Sequence, residues 1–304
     1  MRAMTNHDVG GNKTESMLRE YRRLVEEKLE ILMPPAGEPP ASLHEAMRYS
    51  VLGGGKRFRA MLCLSAHRLF GDPFPEAALQ AACSVEMLHA YTLIHDDLPA
   101  IDDDDIRRGK ASCHARYGEA VAILAGDALQ ALSFEVLSSC TGPEPSAGLE
   151  AVRILSRAAG SRMLVGGQVA DIEAEGAAPD GETVRFIHSR KTAELVSASM
   201  SLGSVLAAAG PARIAEIGRI GRKVGLAFQI IDDLLDIGGS EKIVGKGLRK
   251  DSKRGKITWP ACFGADASLK TAERLIDEST AGIRSLGDAE ALEYLFRLVI
   301  ERVS

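Results

Sequence analysis

Prolines divide this chain into long segments of strong helix formers, and this pattern constrains the fold more than any other feature. The segments between the prolines are rich in Ala, Leu, Glu, Arg and Met, which favour helices. Few stretches alternate with the period of two that a β-strand shows, and no Asn-Gly or Asp-Gly turn separates β-branched runs. We therefore predict an all-α chain with about ten or more helices.

The composition fits a single soluble domain. The chain has 304 residues, of which 45% are hydrophobic and 26% charged, as in ordinary globular proteins. No linker or change of composition divides it, so we predict one domain over residues 14–304 after a polar, disordered tail at 1–13. The basic residues are dispersed and only 5% of the chain is aromatic, so nucleic acid is not an expected partner.

The cysteines and the hydropathy pattern favour a cytoplasmic location. The five cysteines form no CxxC pair, which is typical of reduced thiols. No segment resembles a signal peptide, and no uncharged apolar run is long enough to cross a bilayer. We expect a cytoplasmic protein without membrane insertion.

The first candidate site is an acidic run that follows an apolar helical segment. Six aspartates lie between positions 96 and 105, and two arginines follow. An acidic run alone is often a solvated surface, but carboxylates beside guanidinium groups suit a site where metal ions meet phosphates. Pro99 would clash with the His95 carbonyl and end the helix after Asp97. The aspartates at 102–105 then lie on a turn that can fold back, and their oxygens favour Mg²⁺ over zinc.

A second carboxylate set lies far downstream behind another apolar run. Asp232 and Asp236 are four residues apart, so both can address one metal from a helix, with Gln229 one turn earlier on the same side. In the first set, His89 and Asp96 are seven apart and project from nearly the same face. Spacing leaves open whether His89 binds metal or phosphate.

Basic residues offer two candidate phosphate sites. Three glycines precede Lys56, Arg57 and Arg59, where a helix start can approach a diphosphate closely. The spacing predicts Lys56 and Arg59 on one helix face and Arg57 elsewhere; an exposed turn is the alternative. Residues 238–256 are rich in glycine and lysine, as in a loop that closes over phosphates or in a plain surface loop.

These motifs together resemble the trans-isoprenyl diphosphate synthases over about residues 42–260. The resemblance implies the isoprenoid synthase fold, in which helices surround a deep central cavity, and a homodimer. It rests on Gly-Gly-Lys-Arg-Phe-Arg at 54–59, His-Asp-Asp-Leu-Pro-Ala-Ile-Asp-Asp-Asp-Asp at 95–105, Arg107-Arg108-Gly109, Ala-Gly-Asp-Ala-Leu at 125–129, Gly167-Gln168 with Asp171, Lys191-Thr192, and Phe228-Gln229 before Asp232-Asp233-Leu234-Leu235-Asp236.

The resemblance also implies the site and the reaction. Isopentenyl diphosphate would condense with an allylic diphosphate by ionisation, condensation and elimination, assisted by three Mg²⁺ ions, for which Mn²⁺ can substitute. Asp96 and Asp102 would hold two ions and Asp232 the third, with Asp97, Asp233 and Asp236 as partners or water-mediated ligands, and Lys191 would join Asp96, Asp102 and Asp232 in catalysis. The allylic-substrate positions are Arg107, Lys191, Thr192, Gln229, Lys246 and Lys256; those for isopentenyl diphosphate are Lys56, Arg59, His89 and Arg108.

Product length is the remaining expectation. Farnesyl synthases of the bacterial type carry an aromatic residue five positions before the first aspartate, and this chain resembles them in having Tyr91 there. We therefore expect farnesyl diphosphate as the product, with Tyr91 as the floor of the pocket. Helix geometry alone favours Thr92, which lies more directly below Asp96. The alternatives are a geranylgeranyl diphosphate synthase, a non-catalytic subunit and a terpene cyclase. Arg249 stands where a glycine is common in the family, which puts loop closure in doubt.

Overall fold

Helices are nearly the only regular secondary structure in the described chain, which confirms the all-α prediction. The computed structural model describes residues 6–71, 75–142, 144–238 and 255–303. The helices are α1 (Asn6–Leu32), α2 (Ala41–Leu52), α3 (Phe58–Arg68), α4 (Glu76–Asp96), α5 (Cys113–Tyr117), α6 (Glu119–Ser138), α7 (Ala147–Ala159), α8 (Leu164–Glu173), α9 (Gly181–His188), α10 (Glu194–Leu206), α11 (Pro211–Gly238), α12 (Trp259–Phe263), α13 (Ala265–Arg284) and α14 (Glu290–Ile300).

The first helix begins inside the segment for which the sequence predicts disorder. Helix α1 starts at Asn6, whereas the predicted tail covers 1–13. The helix-forming residues after position 13 nucleate a helix that continues toward the N-terminus, although the helix propensity of the first residues is low. The predicted domain bounds stay a prediction.

Helix α4 is the centre of the bundle, and its composition explains why. It is apolar on all sides and buried from Ala77 to Ile94, packing against α3, α6 and α10. A helix without a polar face is stable only when other helices surround it. Helix α4 ends at Asp96, as Pro99 predicts, so its C-terminus delivers the acidic run to the bundle interior.

The acidic run folds back on the end of α4. The backbone N–H of Asp102 donates to the carbonyl of Asp96 at 2.8 Å, and that of Asp104 donates to the carbonyl of Asp97 at 3.0 Å. A two-stranded antiparallel hairpin follows, β1 (Ile106–Arg107) and β2 (Lys110–Ala111). Its turn places Arg108 and Gly109 at φ 54° and 75°, so consecutive arginines leave in different directions.

Small residues bring α10 and α11 together over the site. A Cβ at Gly221 would lie 2.7 Å from the Cα of Ser197, and one at Gly225 would lie 2.5 Å from the Cα of Ala193. Only glycine permits this backbone approach. Buried serines of α10 satisfy their hydroxyls on backbone carbonyls; Ser197 donates to Gly218 of α11 at 2.8 Å. The close packing fixes α11, which carries the second aspartate set.

A buried ion-pair network fixes the start of α3. Arg57 is 3% exposed and has φ 49°. Its guanidinium donates to Glu26 of α1 at 2.8 and 2.9 Å and to the carbonyl of Val51 at 2.7 Å, and it lies 3.6 Å from Glu86 of α4. Arg57 therefore ties three helices together and points away from the site, as the sequence predicts.

Helix α6 is the one described helix that is long and apolar enough to cross a membrane by length and composition alone, with 39% of its apolar window buried. Asp127 lies at its middle on the exposed face. A helix that packs on α4 in a bundle meets the same criteria, so this is weak evidence, and the absence of membrane insertion stays a prediction. All five cysteines are free.

Candidate active site

Both aspartate sets open into one cavity of about 340 Å³. Helices α4, α8 and α11 and the turn after α4 form its walls, so residues far apart in sequence face each other. The predicted residues that line it are Arg59, His89, Thr92, Asp96, Asp102, Arg107, Lys191, Thr192, Gln229, Asp232, Asp236 and Lys256.

Three predicted residues do not line this cavity, and one lies outside the described chain. Lys56 is exposed and precedes α3, which begins at Phe58, so the prediction that Lys56 and Arg59 share a helix face is wrong. The left-handed conformation of Arg57 delays the helix start. Arg108 donates to the carbonyl of Gly54 instead. Lys246 lies outside the described residues.

Tyr91 also lies outside the cavity lining. Its side chain is 8% exposed and meets the His95 ring edge-on, with ring centroids 5.0 Å apart. Thr92 lines the cavity, as helix geometry favours. The predicted role of Tyr91 as a pocket floor stays a prediction.

Two lysines neutralise the first aspartate set. Lys256 donates to Asp102 at 2.6 Å, and Lys191 and Lys256 lie 2.7 and 3.4 Å from Asp171. Burial raises the pKa of Asp96, Lys191 lowers it in part, and Asp102 adds to the rise. Burial alone would lower the pKa of Lys191, but Asp96 and Asp171 raise it above its usual value. Lys191 is therefore a firmly charged cation in this cavity.

Asp97, the neighbour of Asp96, performs a structural role. It is 2% exposed and accepts from the guanidinium of Arg107, including Nε at 3.0 Å. Arg107 also lies 3.7 Å from Asp104. Because Asp97 points away from the cavity that Asp96 lines, it orients Arg107 at the cavity wall.

Asp171 and the backbone around Lys191 contribute more to the site than their sequence motifs indicate. Residues Ser189–Ala193 form a π-helical turn, a deviation that is common at functional sites. This turn places Lys191 and Thr192 at the cavity. A Cβ at Gly167 would lie 2.5 Å from the backbone N of Lys191, so glycine lets α8 bring Asp171 to Lys191. The Gly-Gln-x-x-Asp spacing was the available signal.

The second aspartate set has its own cation near the C-terminus. Arg302 lies 2.5 Å from Asp232, and its guanidinium stands 4.6 Å above the Phe228 ring. Its Nη1 is buried without a hydrogen-bond partner among the described residues. No sequence motif identifies Arg302, because only the packing of α14 against α11 and α3 brings it to the cavity.

Asp233 differs from its neighbours Asp232 and Asp236 because it is buried and fully engaged. It is 3% exposed and accepts from the backbone N–H of Trp259 at 2.8 Å and from Gln229 Nε2 at 3.1 Å. His188 Nε2 lies 3.2 Å from the same carboxylate. Gln229 in turn accepts from the Thr192 hydroxyl at 2.8 Å.

Arg59 and His89 form a second polar centre in the cavity wall. Arg59 Nη1 lies 3.2 Å from His89 Nε2, and a guanidinium can only donate, so Nε2 accepts and Nδ1 carries the proton. Burial and the positive charge of Arg59 hold the pKa of His89 well below its usual value. The imidazole is therefore neutral at physiological pH. Arg59 Nε is buried without a partner among the described residues and remains available to a ligand.

The donor set suits magnesium that a substrate helps to hold. Across the described residues, no group of three His, Cys, Asp or Glu side chains converges into a closed metal cage. Mg²⁺ commonly takes one or two carboxylates and completes its shell with waters and phosphate oxygens. Asp96, Asp102, Asp232 and Asp236 provide such separate carboxylates around one cavity, and burial raises the pKa of Asp96 above its usual value.

We predict that Asp96→Asn stabilises the metal-free protein. The folded-state pKa of Asp96 is above the ordinary value of 3.8, so ionising this carboxyl costs folding free energy at neutral pH. This cost disappears below the ordinary value, where both states are protonated. The free energy of unfolding in urea, with chelator, should exceed wild type at neutral pH and converge with it in acid. Exposed Asp277→Asn is the control; an equal gain in both variants contradicts the prediction.

Comparison with known proteins agrees with this architecture. The polyprenyl synthetase family model matches residues 40–298. The chloroplastic geranylgeranyl pyrophosphate synthase of Catharanthus roseus is 44% identical over 242 residues, 79% of this chain and 68% of the plant protein. The structure of an FPP/GFPP synthase from Zymomonas mobilis is 32% identical with a TM-score of 0.84, covering 95% of this chain and 99% of that one. Geranylgeranyl pyrophosphate synthetase from Pyrococcus horikoshii is 28% identical with a TM-score of 0.86, covering 95% and 98%. Because the matched region includes both aspartate sets and all of the cavity-lining residues except Arg302, the chain belongs to the polyprenyl synthetase family of trans-isoprenyl diphosphate synthases.

Proposed function

We propose that this prenyltransferase condenses isopentenyl diphosphate with allylic diphosphates and releases geranylgeranyl diphosphate. The observation that carries the reaction is the convergence of two aspartate sets, Lys191 and Lys256 on one cavity. Cations alone would suit a polyanionic diphosphate. The carboxylates beside them are explained if they bind divalent ions that also bind the diphosphate.

The allylic diphosphate is assigned to the wall formed by the two aspartate sets. Mg²⁺ held by Asp96, Asp102 and Asp232, with Asp236, would neutralise the leaving diphosphate and favour cleavage of its bond to carbon. Lys256 now pairs with Asp102, and Lys191 with Asp171. Both lysines could turn toward phosphate oxygens if metal ions bound the carboxylates of the cavity. Preorganised charge of this kind is the main source of stabilisation for a developing anion.

Isopentenyl diphosphate is assigned to the Arg59 and His89 side. Neutral His89 adds no charge to this wall and accepts from Arg59, and Arg59 offers a buried N–H that has no partner among the described residues. Lys56 and Arg108 flank this wall from the Gly53–Arg57 segment and the hairpin turn. The separation of the two diphosphate positions lets the double bond of one substrate approach the cation formed from the other.

A twenty-carbon product is favoured by two observations. Both a plant relative and an archaeal structural relative are named geranylgeranyl synthases. In addition, the Tyr91 ring lies outside the cavity lining and packs on His95, where it does not obstruct the cavity. The farnesyl expectation from sequence therefore becomes the second candidate. The identity of residue 91 supports that candidate, because an aromatic side chain five residues before the first aspartate resembles the farnesyl synthases of the bacterial type.

The decisive experiment is the product distribution of the purified chain. With dimethylallyl and isopentenyl diphosphates and Mg²⁺, we expect a dominant C20 product, and chelation should abolish turnover. A dominant C15 product would support the farnesyl candidate, and Tyr91→Ala should then lengthen the product. Asp96→Ala should lower turnover by about 100-fold or more with an intact far-ultraviolet spectrum. No condensation by the wild-type chain alone would instead indicate a non-catalytic subunit, and cyclic hydrocarbons would indicate a cyclase.

We also propose that the protein is a homodimer joined through α6. Ala120, Ile123, Leu124 and Ala131 share one exposed face of this helix, and the exposed fractions of Ile123 and Leu124 are 42% and 57%. Several exposed apolar side chains on one helix face mark an interaction surface. Asp127 on the same face disfavours a lipid environment, so a second copy is the better occupant.

The dimer predicts a change of mass on a single substitution. Leu124→Glu places a charge in the apolar face and should convert the sedimenting species from dimer to monomer, because an unpaired buried charge is costly. Exposed Leu149→Glu on α7, whose wild-type side chain is 76% exposed, is the matched control and should leave the dimer intact. A monomeric wild-type chain at micromolar concentration contradicts this interface.

A further inference from the structure

Asp233 belongs to a connected polar network that ends at the cavity. Its carboxylate accepts from Trp259 N–H and Gln229 Nε2, and His188 Nε2 closes a third side at 3.2 Å. The His188 ring stacks on Trp259 with centroids 5.8 Å apart. Asp233 lies in the cavity wall, but it is only 3% exposed and both of its carboxylate oxygens are engaged by protein groups, whereas the first and last aspartates of the set are more exposed.

The network determines which end of the Gln229 amide faces Thr192. The amide NH₂ donates to Asp233 Oδ1 at 3.1 Å, and the amide oxygen accepts from Thr192 at 2.8 Å. The opposite orientation would bring the amide oxygen against a carboxylate, where neither group can donate. Gln229 and Thr192 both line the cavity, so the fixed orientation keeps the amide oxygen, the negative end of the dipole, on the side of the cavity wall where Thr192 lies.

We propose that Asp233 is a positioning residue that sets the Gln229 amide, so that its oxygen faces the allylic cation formed in the proposed reaction. Oxygen dipoles fixed in advance stabilise the positive charge when the carbon–oxygen bond breaks, and no reorientation is needed at that moment. The role rests on the proposed function. It separates Asp233 from Asp232 and Asp236, which face the metal side of the cavity.

Asp233→Asn tests this role with little change in volume. The new amide oxygen can still accept from Trp259, which leaves its NH₂ facing Gln229 and forces the Gln229 amide to turn over. The NH₂ of Gln229 then faces the cavity. We expect kcat to fall about 100-fold, as for loss of one oriented dipole, with little change in KM for the allylic substrate or in the Mg²⁺ dependence.

A reciprocal exchange provides the matched rescue. In Asp233→Asn/Gln229→Glu the carboxylate and the amide trade places, so the net charge is unchanged and the hydrogen bond between them runs in the opposite direction. Either oxygen of the glutamate presents the same negative end to the cavity. We expect the double variant to recover at least about tenfold in kcat over Asp233→Asn. Additive loss in the double variant, or an unchanged kcat in the single variant, would overturn the positioning role.

A readout without turnover keeps the two proposals distinguishable. In ¹⁵N-labelled metal-free protein, the side-chain NH₂ of Gln229, assigned by its loss in Gln229→Glu, should exchange slowly with water because it donates to a buried carboxylate. Asp233→Asn should shift this resonance and speed its exchange, while Asp236→Asn should leave it in place. Absence of a protected Gln229 amide contradicts the network even in an active enzyme. A protected amide in a wild-type chain that makes no prenyl product supports the network and refutes the proposed reaction.

Discussion

The cost of gathering carboxylates in one enclosure is the constraint on which the rest of the structure depends. Asp96, Asp102 and Asp171 meet in a cavity where burial raises the pKa of Asp96, and two lysines reduce their repulsion. Arg302 does the same for Asp232. These cations lie where the carboxylates need positive charge, so the site is held together by ion pairs.

Within each aspartate set, the adjacent aspartates have separate duties. Successive residues of a helix project about 100° apart, so Asp96 and Asp232 are directed to the cavity, whereas Asp97 and Asp233 are buried and engaged by protein groups. Asp97 holds Arg107, and Asp233 holds Trp259 and Gln229. The same geometry therefore places in each half of the site one aspartate directed to the cavity and one that positions neighbouring side chains.

The supports depend on close backbone packing. Gly167 lets α8 reach the π-helical turn that carries Lys191, and Gly225 lets α11 reach Ala193 at the end of that turn. Arg57 fixes the start of α3 through Glu26 and Glu86, beside Arg59. The cavity wall is thus positioned by contacts that take no part in the chemistry. The wall that would bind isopentenyl diphosphate therefore also depends on the buried ion pairs of Arg57, which points away from the cavity.

The sequence by itself determined the helical class, the end of α4 at Asp96 and the shared faces of His89 with Asp96 and of Gln229 with Asp232. These follow from local rules: proline sterics and a period of 3.6 residues act within one helix. Tertiary structure alone brought Arg302 to Asp232 and Lys256 to Asp102, since those contacts join segments 70 and 154 residues apart. It also placed Lys56 before α3. Spacing along one helix does not state which neighbour covers each face, and that choice depends on packing among helices that no local rule describes.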